Sequence, residues 1–341
     1  MAVSGFRFRK AMFMQPDPTE TRRGLLLAIS AYGLWGIVLP FYMKALDHVS
    51  PVEIVAHRII WALPFAAILL MYQGRFARTV RYLADMRTTA LALLTAALIS
   101  INWGVYVYAI VAGQTVDAAL GYYINPLLNV LLAALVLKER PSRLQAIAVG
   151  LATVGVAIMT VKAGGLPWIS LVLACTFGSY GLVRKMVKVD ASEGFFLEVV
   201  LLTPFAVAAL FIVPVSHFGV IPYETVMLMG AGPLTAVPLI LFAAGARLLN
   251  FATVGILQYL VPTCLFLIAV FIFGEPFSVW QLVAFAFIWT ALGLYTVTLL
   301  RQARVERQRR RRRQPSAAQT SAQMDGQAAA LDQPPSDQAI R

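Results

Sequence analysis

Ten stretches of roughly 20 mainly apolar residues, parted by short polar segments, limit what this chain can fold into. They cover 24–43, 52–73, 89–111, 116–137, 143–161, 166–187, 195–214, 225–246, 251–273 and 279–300. A helix needs about 20 apolar residues to cross the hydrocarbon core, and only helices or closed barrels satisfy every backbone group there. The pattern predicts an all-α polytopic membrane protein with ten transmembrane helices. Composition agrees, with 60% hydrophobic and 13% charged residues, where soluble domains have about 45–50% and 25%.

Cations set the orientation, because Lys and Arg gather on the cytoplasmic side. Of 28 in the chain, 25 fall in the N-terminal segment, the even-numbered loops and the C-terminal tail. Lys44 and Lys162 lie on the other side, and Arg58 is within the second span. Both termini are therefore expected in the cytoplasm. The net charge of +12 is confined to these short segments, so nucleic acid is not an expected partner. Residues 1–21 read as a polar cytoplasmic segment, broken by Pro16 and Pro18, with no cleavable signal. Residues 301–341 read as a disordered, Arg-rich tail whose arginines anchor topology and could touch anionic lipid head groups. Cys175 and Cys264 fall in apolar runs and His48, His57 and His217 are scattered, so no disulfide, metal site or cofactor is expected.

Two internal matches divide the spans into halves. "AYGLWG" (31–36) aligns with "TFGSYG" (176–181) at an offset of 145, and "NPLLNVLLAALVLKERP" (125–141) aligns with "VPTCLFLIAVFIFGEPF" (261–277) at 136. These pair span 1 with span 6 and span 4 with span 9. Five spans per half is an odd number, so the second half must cross the membrane in the opposite sense. The charge pattern agrees: "LKERPSR" after span 4 is basic, whereas "FGEPFS" after span 9 has no Lys or Arg. Inverted repeats are a recurrent plan of secondary transporters, with the substrate held near the midplane between halves.

That plan gives a reason for the polar residues in span 4. A buried amide without a partner is costly, and proline removes a helix hydrogen bond. Pro126 and Pro262 stand near the centres of spans 4 and 9 and predict two helix breaks at similar depth. Asn125 and Asn129, four apart, share a face beside one break, and Gln258 and Tyr259 stand beside the other. The alternative is that these amides only join helices to one another.

The residues at this point resemble a known family. "EIVAHRIIW" (53–61), "NWGVYVYAI" (102–110), "LGYYINPLLNVLL" (120–132), "FGSYGLVRK" (177–185), "TAVPLILFAAGARL" (235–248), "GILQYLVPTCLFLIAV" (255–270) and "FAFIWTAL" (285–292) look like the RarD-like branch of the drug/metabolite transporter superfamily, built from two EamA-type repeats. The resemblance runs from about Arg22 to Leu300. Tyr108 departs from it, standing where relatives often have Trp. The resemblance implies EamA-like repeats over 22–163 and 164–300, ten helices in the inner membrane, and transport of small organic solutes.

Several ionisable and aromatic residues complete the candidate list. Glu53, His57 and Arg58 open span 2, with Glu53 and His57 on one face. A His beside a carboxylate suits proton coupling, and Arg58 could fix an anionic group on substrate. The offset of 145 carries Glu53 onto Glu198, placing one carboxylate near each mouth as a gating pair. Trp35, Trp103, Tyr123 and Tyr259 are the aromatics expected in a pocket, together with Asn102. Asp117 and Gln114 are expected to cap span 4, and Glu139 and Glu275 to be symmetric structural residues. No P-loop appears. The expected function is a secondary transporter, not an enzyme, of small organic metabolites or drugs, with protons as candidate coupling ion. An intramembrane lipid-modifying enzyme and a passive channel or partner protein are the alternatives; substrate and oligomeric state are left open.

Overall fold

The computed structural model describes residues 18–136, 138, 141–162, 166–186, 189–246, 248–249, 251–301, 304–305 and 308. Glu139, the N-terminal segment before residue 18 and nearly all of the 301–341 tail lie outside them, so those expectations are not addressed. The chain divides into a main body, Met1–Tyr295, and a C-terminal unit, Thr296–Arg341.

Among the described residues the structure is helical, without strands. The long apolar helices are TM1 (Thr19–Lys44), TM2 (Pro51–Tyr72), TM3 (Met86–Val111), TM4 (Thr115–Val136), TM5 (Arg143–Lys162), TM6 (Trp168–Met186), TM7 (Ala191–Leu210), TM8 (Pro222–Ala246), TM9 (Thr253–Phe271) and TM10 (Val279–Arg301). Each corresponds to one expected span. Local chemistry sets their ends. Gly74 and Gly113 take positive φ of 66° and 68° just past TM2 and TM3, the left-handed stop that glycine adopts without a Cβ clash. Asp85 caps TM3 by accepting from the Thr88 amide at 3.0 Å. A short helix, Phe76–Arg81, lies between TM2 and TM3 where the sequence suggests only a loop.

Contacts in the main body trace a closed cycle. TM1 packs on TM8, TM8 on TM2, TM2 on TM7, TM7 on TM3, TM3 on TM6, TM6 on TM4, TM4 on TM9, and TM9 on TM1. TM5 packs on TM4 outside that cycle, and a Cβ on Gly155 would sit 3.0 Å from the Ala284 carbonyl of TM10. The inversion is visible in the order: exchanging the halves maps the cycle onto itself, with TM2–TM7 and TM4–TM9 as the self-paired contacts. Small residues allow the close crossings, as is usual where lipid provides no hydrophobic drive. Gly232 of TM8 lies directly against the Trp61 backbone of TM2. A Cβ on Gly36 of TM1 would lie 3.1 Å from the Val261 Cα of TM9.

The two expected breaks differ. TM9 is interrupted at Gln258–Tyr259, between Phe251–Leu257 and Leu260–Phe271, and Pro262 falls in the first turn of the second piece. TM4 runs through Pro126 without a break. A lone proline removes one N–H, here the donor to the Tyr122 carbonyl, and the rest of the TM4 ladder continues past it. TM2, TM7 and TM8 likewise carry Pro64, Pro204, Pro233 and Pro238 inside continuous helices. TM1 has its own irregularity, a π-helical stretch over Leu34–Val38 that contains Trp35.

Candidate functional site

Among the described residues, Arg58 is a buried charge without a charged partner. It sits two turns into TM2 and is 3% exposed. Its Nε donates to Thr235 Oγ1 of TM8 at 2.6 Å, and the guanidinium lies over the Trp103 ring of TM3, 4.7 Å from the centroid. The Tyr106 and Tyr122 phenols lie within electrostatic reach. Nη1 is buried with no hydrogen-bond partner. Among the described residues no carboxylate is within 4.0 Å of it. Other buried polar atoms are also unpartnered: the Tyr106 hydroxyl, Asn125 Oδ1, the Tyr259 hydroxyl and His57 Nε2.

The residues expected at the midplane separate into three groups. Asn125, Gln258, Tyr259, Trp35 and Trp103 are buried or half-buried on helices of the ring. Asn129 is exposed, its Oδ1 facing Gly178 of TM6. Asn102 and Tyr123 serve the framework instead. Asn102 is 1% exposed, donates to the Leu173 carbonyl at 3.1 Å and to Thr176 Oγ1 at 3.0 Å, and accepts from the Tyr122 hydroxyl at 3.2 Å, so TM3, TM4 and TM6 meet on it. Tyr123 packs edge-on against Phe285 and Trp289 of TM10, with its hydroxyl 2.8 Å from Thr263 Oγ1. Its neighbour Tyr122, a third of a turn away, is the tyrosine bonded to Asn102 and within electrostatic reach of Arg58. Trp35 stacks obliquely with Tyr32 and Phe242 where TM1 meets TM8.

Glu53 and His57 do not pair with each other. Glu53 is fully buried and accepts from Ser216 Oγ at 3.0 Å, the His217 amide at 2.8 Å and the Phe218 amide at 3.2 Å, with His217 Nδ1 at 3.1 Å. It thus ties TM2 to the TM7–TM8 loop. His57 stacks on Phe218 at 4.4 Å, and its Nδ1 accepts from Trp61 Nε1 at 3.3 Å. Four-residue spacing puts the acid and the imidazole on one face, but a loop more than 160 residues further along the chain supplies a better donor set than the imidazole. Glu198 lies toward the other end of the bundle, 3.8 Å from the Arg184 guanidinium and 3.3 Å from the Tyr180 hydroxyl.

Side-chain contacts join the two halves at both ends of the bundle, which the sequence reading missed. At the end away from the basic loops, His48 Nε2 is 2.9 Å from Glu224 Oε1 and its ring meets that of His217, 5.7 Å between centroids. At the basic end, Arg78 pairs with Glu193 and Arg75 with Asp190. The offset of 145 takes His48 to Glu193 and Thr79, beside Arg78, to Glu224. The signal was available in that offset, but the arginines read only as topology markers. TM4 is not capped by Asp117 or Gln114. Glu275 accepts from the Thr115 and Val116 amides, both at 2.9 Å, as a structural residue of the opposite half. That acid binds both free amides at once, next to the positive end of the helix.

A cleft opens between TM2, TM7 and TM8 toward the basic end, lined by Leu69, Gln73, Ser192, Phe195, Leu239 and Ala243. None of the expected site residues lines it. Among the described residues, no group of three or more His, Cys, Asp or Glu could hold a metal ion.

Comparison with known proteins accords with this architecture. The EamA-like transporter family model matches residues 22–161. An uncharacterized transporter of Vibrio cholerae is 41% identical over 305 residues, covering 88% of this chain and all of that protein. Protein RarD of Salmonella typhimurium is 40% identical, covering 82% of this chain and 97% of its own length. A solved crystal structure matches with a TM-score of 0.54 at 18% identity, covering 82% of this chain and 97% of that one, and shares the fold. With such relatives matched along almost their full length, this multi-pass membrane protein belongs to the EamA-like transporter family, in its RarD-like branch.

Proposed function

We propose that the protein is a secondary active transporter that carries small organic metabolites or drugs across the inner membrane by alternating access, with both termini in the cytoplasm. The observation that carries this reading is the arrangement of charge around one ring. The two halves meet at opposite ends, through His48–Glu224 at one and Arg78–Glu193 at the other, and helices of the ring carry unpartnered buried polar atoms on Tyr106, Asn125 and Tyr259. Exchange of conformation between two inverted halves would open one end while closing the other. Glu53 and Glu198, one near each mouth, are the proposed gating acids. The histidines at the outer end, His48, His57 and His217, are the proposed route for proton coupling. Asn125, Gln258 and Tyr259 supply the midplane contacts to solute.

The test compares metabolites inside and outside cells that carry or lack the protein, followed by counterflow of the identified solute in proteoliposomes. Saturable counterflow that is lost in Asn125→Ala supports a carrier. Non-saturating flux indicates a channel, and no flux leaves an enzyme or a partner protein.

A further inference from the structure

The orphaned guanidinium inside the ring identifies what kind of solute the ring accepts. A buried cation is tolerated when a counter-charge and full hydrogen bonding compensate its lost hydration. Arg58 has neither: one donor is used by Thr235, one face is covered by Trp103, and Nη1 has no partner. The acids that could have served are engaged elsewhere. Glu53 holds the 216–218 loop, Glu275 caps TM4, Glu193 pairs with Arg78 and Glu198 with Arg184. Thr235 and Trp103 touch Arg58, and the Tyr106 and Tyr122 phenols lie within electrostatic reach; none of the four is an acid that could serve as counter-ion. The missing component is an anion.

Its chemistry follows from the surroundings. A guanidinium with its Nε occupied presents its remaining N–H donors to a single carboxylate. The Tyr106 hydroxyl, buried without a partner, is a further donor close by. The ring of Trp103 and the rings of Tyr106 and Tyr122 form an apolar surround that favours a flat, apolar body behind the charge. We propose that Arg58 receives the carboxylate of a small aromatic monocarboxylate, the solute class this ring carries. The guanidinium is sealed in the conformation described, so the carboxylate reaches it when one end opens. The assignment rests on the transport reading for the word solute alone, because binding is measurable without transport.

The experiment uses the purified full-length protein in detergent micelles and reads thermal stabilisation by benzoate, phenylacetate and 4-phenylbutyrate against the amide of each. The expected result is that at least one acid acts at a concentration at least tenfold below that of its amide, about 1.4 kcal/mol of discrimination. Arg58→Gln should fold as well as the parent, since it removes an uncompensated charge, and should respond equally to acid and amide. Equal responses in the parent, no response to any acid, or a preference that survives in Arg58→Gln would overturn the proposal. So would an Arg58→Gln variant that fails to fold, because Arg58 would then be structural. A carboxylate preference without counterflow keeps this site and removes the transport reading, and counterflow of neutral solutes without that preference does the reverse.

Discussion

Glu53→Ala removes one carboxylate and four hydrogen bonds at a stroke, and its consequence can be worked from the geometry. The acid accepts from Ser216, from two backbone amides and from the His217 ring, all at 2.8–3.2 Å. Hydrogen bonds to a charged group contribute about 1.5–3 kcal/mol each when the released donor stays buried. Here the released loop is largely exposed, so water replaces the acid and the net loss per bond is nearer 0.5 kcal/mol, about 2 kcal/mol in all. That corresponds to roughly a 30-fold rise in the population of the open loop. Glu53→Gln keeps one oxygen for Ser216 and the two amides, and should lose about 1 kcal/mol, roughly fivefold. Hydrogen exchange at the His217 and Phe218 amides reads both values directly. If Glu53→Ala changes exchange at these amides by less than twofold, the acid does not hold this loop. Equal acceleration in both variants would mean that charge alone matters and the bond geometry does not.

Three further outcomes are expected. Asn102→Leu should cost about 2 kcal/mol in an unfolding titration with denaturing detergent, since interhelical bonds in membranes average about 0.6 kcal/mol and the Tyr122 hydroxyl also loses its acceptor; an unchanged midpoint would remove Asn102 from the framework. Glu275→Ala should lower stability by about 1–2 kcal/mol through loss of the TM4 cap, seen as a lower melting temperature, and Glu275→Gln by less. Gly232→Val should prevent TM8 from closing on TM2 and abolish recovery of folded protein on size-exclusion chromatography, whereas Gly150→Ala, with open space around its Cβ position, should behave as the parent.

The sequence carried the spans, the charge asymmetry and the five-plus-five inversion, because each depends on hydrophobicity or on local motif similarity. It also paired TM4 with TM9 correctly, since Pro126 and Pro262 occupy equivalent places in the two halves. What it could not carry were the choices between adjacent positions and the partners across long separations. Tyr122 and Tyr123 look alike in the sequence, yet one bonds Asn102 of TM3 and the other packs on TM10. Glu53 could be assigned to His57 by helical spacing, but the loop that binds it lies more than 160 residues away. Glu275 reached across to TM4 for the same reason. Pro126 reads as a break because proline costs a helix hydrogen bond, yet TM4 continues through it.

The tip of TM1, Leu39–Lys44, crosses the ring to rest on TM3, and Met43 and Leu46 share a cluster with Val107 and Ile110. Its counterpart in the second half is the tip of TM6, whose opposite number is TM8. On the alternating-access proposal, a single conformation of a molecule built from two antiparallel copies contains the blueprint of its reverse. Lifting the first tip away and setting the second down on TM8 would regenerate the same surface pointing to the other compartment, with no new interface to invent.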